Sequence, residues 1–515
     1  GGRIEIRSTD MLIDLPRVMD GPVDIDILDG MIIWRSNDEL TRFTSDSVYL
    51  ANAIIDIRGN GELTFYADRP APEIDYNAAF SVSDVSAAYP YLPHKVMKPK
   101  LKAWFQRALV EGSVPRGTLR MNGVLDKQFF RGQGGNLLVE GSARDVTLKY
   151  HPDWPAVERA DVEIVLDNTR LYSVRNRSIS LGNSSVDTKL EIDDLYNPVL
   201  SISALTTGTL ETMRQYAIQS PLNRLTGGNL ERLTMSGDAS FQFDLMVPLR
   251  NVKGAQINGL LRSNNGSLLV EGFPAPVDDL IGEVTITRDY MESDNLGGRF
   301  LGQEISIGQS RPEEPQWFAI ATATGLATSQ AIMDELGIPL EGTLEGETEY
   351  TARMLFPRGG QETRRPFTIE VSTTLEGMAV NLPEPVGKPA GDTMQVVSAL
   401  RFLPGGEAIE NSGEAENGLA WLLSFTRPEG VWDFDRGMLM AGPGDIEPAE
   451  TRGLHIRGTT STARLEDWLN LSRSGAKKVG AAERIRSIDL EIDNLFAIGQ
   501  HLQGHRVKLD RSALD

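Results

Sequence analysis

Residues 89–155 read YPYLPHKVMKPKLKAWFQRALVEGSVPRGTLRMNGVLDKQFFRGQGGNLLVEGSARDVTLKYHPDWP. Near its end Val146, Leu148 and Tyr150 alternate with Thr147 and Lys149, and Leu137 and Val139 alternate with Leu138 and Glu140. Apolar residues at every second position mark a strand with one buried and one wet face. Near its start Leu101, Trp104, Phe105, Ala108 and Leu109 recur at helical spacing, which predicts a helix over Lys98–Glu111 with Gly112 as its stop. The stretch is one short helix set among amphipathic strands.

The same alternation extends through the chain. It appears at Val23, Ile25 and Ile27, at Val162, Ile164 and Leu166, at Leu200 and Ile202, and at Phe241, Phe243 and Leu245. It returns at Val284 and Ile286, at Phe367, Ile369 and Val371, at Leu454 and Ile456, and at Ile488, Leu490 and Ile492. The pattern predicts roughly 25 to 30 strands, paired antiparallel. Further short helices are expected at Leu210–Ile218, Ser329–Leu336 and Ala463–Leu471, and a loop at Pro404–Gly418. Strand series that each end in a helix give a weak internal repeat. Approximate units are 1–97, 98–220, 221–340, 341–471 and a partial 472–515, within one continuous elongated segment.

Composition bounds the function. The 515 residues are 40% hydrophobic, so a folded protein is expected. Cys is absent, which excludes disulfides and thiol chemistry. A formal net charge of −21 argues against nucleic acid as partner, because phosphate binding needs a basic surface. The opening GGRIEIRS has no leader features, and the chain reads as an excised piece of something longer. The most apolar stretch, Trp317–Met333, is interrupted by Thr, Ser, Gly and Gln and is not a membrane-spanning helix.

The sequence offers little chemistry. His501 and His505 are four apart, but in a strand-like region, where that spacing does not form a metal pair. Asp24, Asp26 and Asp29 lack calcium-loop spacing. Arg131–Gly135 and Leu403–Gly406 read as turns, and no GxSxG occurs. No catalytic residue, metal ligand or cofactor is expected. The physical question is instead what covers so many apolar strand faces, since each Å² left wet forfeits about 25 cal/mol. Face-to-face sandwiches, a closed solenoid and a curved sheet with an apolar trough all answer it.

Tyr91-Leu92-Pro93, Leu101, Trp104, Ala108-Leu109, Gly112, Gly117, Leu119, Gly123, Tyr150 and Trp154-Pro155 together resemble the signature of the YhdP family, very large AsmA-like proteins of Gram-negative bacteria. Later blocks continue the resemblance in order: Asp193–Ile202, Ser220–Gly228, Leu382–Gly391, Gly453–Gly458, Ala463–Leu471 and Ile488–Leu509. Gln128-Phe129-Phe130 departs from it, where a Pro-containing stretch is expected. The resemblance implies a bridge-like lipid transfer protein. It would be anchored in the inner membrane and reach through the periplasm toward the outer membrane, with phospholipids moving along a repeating β-groove.

The expected fold is therefore mainly β, an elongated, twisted antiparallel sheet curved into an open groove with short helices at its rim. The candidate lipid-facing residues are Ile25, Leu137, Val139, Val146, Leu148, Val162, Ile164, Leu166, Ile202, Phe241, Phe243, Leu245, Val284, Ile286, Ile369, Val371, Ile456 and Leu490. The expected partners are phospholipids and, through other regions, the two membranes, with the chain itself a non-enzymatic monomer. Two other classes stay open at this point: a periplasmic scaffold for outer-membrane proteins of the TamB type, and a β-solenoid enzyme acting on carbohydrate.

Overall fold

The computed structural model describes residues 1–511 except 17, 127–128, 132–133, 274, 311, 315, 337–341, 358–366, 404–406, 428–432 and 468–483. The fold is mainly β, a twisted mixed sheet with a few short helices, and not a closed barrel. The described residues form 28 strands. They fall into two compact units. The first comprises Gly1–Pro221, Ala239–Leu261 and Ile286–Arg288; the second comprises Leu222–Asp238, Arg262–Thr285 and Asp289–Asp515.

In the first unit the strands are β1 (Gly2–Ile13), β2 (Val23–Ser36), β3 (Leu40–Ala51), β4 (Ile55–Tyr66), β5 (Glu73–Val82), β6 (Leu109–Val124), β7 (Gly135–Leu148), β8 (Val157–Asp167), β9 (Arg170–Ser180), β10 (Asn183–Ile192) and β11 (Val199–Thr209). Each pairs antiparallel with the next. The strands that follow are β12 (Leu233–Ser236), β13 (Asp238–Pro248), β14 (Gln256–Val270) and β15 (Val277–Thr287).

The second unit continues with β16 (Met291–Phe300), β17 (Gln303–Ser310), β18 (Trp317–Thr328), β19 (Leu344–Pro357), β20 (Phe367–Thr373), β21 (Met378–Val380), β22 (Val396–Phe402), β23 (Ala408–Ala415) and β24 (Leu419–Thr426). It ends with β25 (Asp433–Ala441), β26 (Gly453–Arg464), β27 (Ile485–Ala497) and β28 (Gln500–Asp510).

Three expectations are corrected. The sheet is not wholly antiparallel: β25–β26 and β26–β27 run parallel. Residues 442–452 supply the long connection between β25 and β26 that parallel neighbours require. The loop expected at Pro404–Gly418 is instead a strand over Ala408–Ala415: β23 hydrogen-bonds on both sides despite its polar sequence AIENSGEA, and residues 404–406 lie outside the described residues. The helix expected over Lys98–Glu111 ends earlier. It is α1 (Pro99–Ala108), with Pro in its first turn, and the chain passes directly into β6 at Leu109.

Helices α2 (Leu210–Ile218) and α4 (Ser329–Leu336) have the expected bounds, and the one-turn α3 (Leu222–Leu225) comes between them in the chain. A capping box starts α2: Thr209 accepts from the Thr212 N–H, and the Thr212 hydroxyl accepts from the Thr209 N–H. For the helix expected at Ala463–Leu471, β26 continues to Arg464, and residues 468–471 lie outside the described residues.

Bulges bend the first unit. Asp145, Arg159, Arg175 and Asp187 have φ near +50°, one on each of β7 to β10, and the strand registers slip beside them. An extra residue in each strand bends it and raises its twist. On β7 the bulge also moves the apolar face from odd to even numbers, from Leu137 and Val139 to Val146 and Leu148. Asn176 replaces ladder bonds lost at this crease. It accepts from the Glu163 N–H at 3.2 Å and donates to the Thr188 carbonyl at 2.9 Å. Ser173 donates to the Glu163 carbonyl. The second unit has a parallel arrangement, with the Glu283 N–H donating to Asn295 and Ser293 donating to the Glu283 carbonyl.

Candidate functional site

In the first unit, register alone places one apolar row across the sheet. Leu28, Leu50, Ile57, Phe80, Gly117, Gly141, Ile164, Ser173, Leu190 and Ile202 are successive cross-strand partners from β2 to β11. A second row of the same face runs Ala78, Leu119, Val139, Leu166, Leu171 and Ile192. Val162 joins through its partner Ala143, and Leu137 through Met121. Six of the candidate residues thus share one face: Leu137, Val139, Val162, Ile164, Leu166 and Ile202.

Others are placed differently. Ile25 is not in the row, since β2 contributes the even-numbered Leu28; Ile25 is buried near one strand end. Val146 and Leu148 lie beyond the crease, Val146 buried and Leu148 half-buried. Phe241 and Phe243 stack at 5.3 Å and alternate with Leu245, all three half-buried, as is Ile286.

Burial separates the two ends of the strands. Val23, Ala51, Ile55, Val85, Ala108, Ala160 and Leu210 are all buried. They belong to the edge where β2, β4, β6, β8 and β10 begin, which carries the short helical turns at Tyr89–Tyr91 and His94–Val96, then α1 and α2. Trp104 donates its indole N–H to the Tyr150 carbonyl at 3.0 Å, and the Tyr150 and Tyr216 hydroxyls meet at 3.0 Å, with Trp154 against both tyrosine rings. Burial pushes the phenols of Tyr150 and Tyr216 up, so both stay neutral. Away from this edge the face is open: Phe43 is 37% exposed, Phe65 44% and Ile164 38%. Phe129 is fully buried over Gly135 at the opposite edge, and Ala78, Leu137 and Ile192 of the same face are buried as well.

The other face is charged and paired. Arg144 meets Glu163, Arg177 meets Asp161, and Arg170 meets Glu191 across neighbouring strands. The Ser142 hydroxyl and then Arg144 hold the Glu163 carboxyl below the usual carboxylate range. The Asp145 N–H and then Arg177 do the same for Asp161.

The second unit also carries a continuous row: Leu296, Ile307, Ala323, Ala352, Val371, Ser398, Gly413, Trp421, Leu439, Ile456, Ile488 and Leu509. Val371 and Ile456 are in it, and Ile369 and Leu490 are two residues away on the same strands. Here much of the face is packed. Leu233, Val270, Phe367, Ile369, Phe402 and Ile409 form one buried cluster, and Leu280, Ile305, Ile307, Ala321 and Ala323 another. Val284 is buried as well. Leu268, Met354 and Phe356 pack against both clusters, so part of this unit's apolar face is filled by its own side chains.

Sequence reading missed Leu28, Leu50, Ile57, Phe80, Leu119 and Leu190, although each belongs to a row. Glycines and bulges beside them break the alternation, and only register reveals their membership. Among the described residues no group of three or more His, Cys, Asp or Glu could hold a metal ion, and no helix is long and apolar enough to cross a membrane.

The sequence profile of the family described as YhdP protein matches residues 1–515. A curated relative from Escherichia coli (strain K12), the intermembrane phospholipid transporter YhdP, is 22% identical over 473 residues. The alignment covers 89% of this chain and 36% of that protein, so the chain spans about a third of the relative's length. With the profile matched from end to end, and the apolar rows lying on the strands whose motifs carry the resemblance, this chain belongs to the YhdP family.

Proposed function

We propose that this chain is a section of a phospholipid conduit between the inner and outer membranes. Acyl chains lie along the apolar rows, and headgroups stay at the open side in water. No bond is made or broken, and movement needs only many near-equivalent apolar contacts. The carrying observation is the first unit's row from Leu28 to Ile202, uninterrupted by any charge, with its middle left partly exposed. Exposed apolar area on this scale is costly in water, and contiguous exposure marks a surface with a partner. That a relative is an intermembrane phospholipid transporter supports a partner of this chemistry.

On this reading the protein works in the periplasm as part of a longer, inner-membrane-anchored chain, and this section acts as a monomer. The test is lipid extraction and mass spectrometry of the full protein purified without detergent. The reading expects co-purified phospholipid at near-stoichiometric or higher ratio. Lipid-free protein that captures an unfolded outer-membrane strand along a sheet edge would favour a scaffold instead.

A further inference from the structure

We propose that a set of glycines sets the clearance of the conduit, by letting aromatic rings of the apolar face lie flat on the sheet. The inference rests on the conduit reading. A Cβ built on Gly117 would fall 2.3 Å from the ring of its partner Phe80. One on Gly59 would fall 2.1 Å from the Tyr76 hydroxyl, one on Gly259 2.4 Å from the Phe241 ring, and one on Gly413 2.2 Å from the indole of its partner Trp421. Each ring occupies the space a neighbouring side chain would take.

None of these four glycines has a left-handed backbone, unlike Gly61, Gly112 and Gly123 on the same strands or their neighbours. Conformational freedom therefore does not explain them. Glycine within a strand is unfavourable relative to Ala, and it marks a close approach. At Gly117, Gly59 and Gly413 what approaches is a ring from the apolar face. Phe80 lies in the first unit's row and Trp421 in the second's, and Tyr76 is four residues before Phe80 on the same strand and so faces the same way.

A ring lying flat adds about 3.5 Å, one van der Waals thickness, whereas a ring on edge stands roughly twice as high. Ile57 beside Phe80 and Ala78 and Val82 along its own strand hold the adjoining positions of the face. A ring displaced from Gly117 therefore swings up, into the space an acyl chain would use. The glycines keep the floor low where the residues lining it are largest.

The test uses the full-length protein with a photo-crosslinking residue at Ile164, two strands from Gly117 in the same row. Lipid labelling is read for wild type, Gly117→Ala, Gly117→Val, Phe80→Ala and the double variant Gly117→Val/Phe80→Ala, with hydrogen exchange of β5 to β7 as the folding control. The inference expects wild-type labelling, a several-fold loss in folded Gly117→Ala or Gly117→Val, and recovery when Phe80→Ala is added. Gly117→Ala adds one methyl and keeps the test readable if the Val variant unfolds. Equal labelling in wild type and a folded Gly117→Ala overturns the inference and leaves the conduit reading standing, as does a loss that Phe80→Ala does not reverse. Wild type that labels no lipid at Ile164 overturns both.

Discussion

Tyr350 and Asn176 are opposite cases of a buried polar group. The Tyr350 hydroxyl is buried with no hydrogen-bond partner among the described residues, and burial pushes its phenol up to about 12. An unmade hydrogen bond leaves its desolvation cost uncompensated, on the order of 1–3 kcal/mol. Tyr350→Phe keeps the ring against Phe300 and removes that cost. It should raise stability by about 1 kcal/mol, seen as a higher urea midpoint for the transition that exposes the second unit. Asn176 is fully used: it holds the Glu163 N–H and the Thr188 carbonyl where bulges break the ladder. Asn176→Ala should weaken that region by about 1–3 kcal/mol, read as faster amide exchange at Glu163 and its neighbours on β8 to β10. Unchanged protection there would mean the crease does not depend on this side chain.

The helices and the sheet edge they cover behave as one element. Trp104 of α1, Tyr150 and Trp154 of the β7–β8 connection and Tyr216 of α2 meet in a single aromatic cluster. Both phenols are raised in the folded state. Their contribution is therefore complete below the ordinary tyrosine value of 10.0 and is lost as pH rises above it, when the unfolded chain ionises first. The first unit should loosen on alkaline titration, and Tyr150→Phe with Tyr216→Phe should flatten that dependence. An unchanged alkaline limb in the double variant would place the sensitivity elsewhere.

Sequence periodicity located α2 and α4 to the residue and most strands closely. It failed where tertiary structure overrides local pattern. Leu109 continues the helical spacing of α1 but begins β6, because its partner Leu148 is available across the sheet. The polar β23 looked like a loop because its hydrogen bonds to β22 and β24, not its side chains, define it. The parallel pairs of β25 to β27 depend on connections whose direction no alternation records. The apolar face was legible strand by strand, as at Val162, Ile164 and Leu166. Its change from odd to even numbers after Asp145 was not, since a bulge inserts one residue without a composition signal.

At the scale of the whole molecule, the proposed function assigns lipid to the apolar face of the sheet in each unit and water to the opposite face. Side-chain parity tests it most directly. In the full-length protein, photo-crosslinking residues at Val139 and Ile164 lie in the apolar rows, and one at Glu140 lies on the opposite face, next to Thr118. After irradiation of the protein in its native envelope, lipid adducts are counted by mass spectrometry. The account predicts phospholipid adducts at Val139 and Ile164 and none above background at Glu140. Equal labelling at all three positions, or none at any of them, would contradict it.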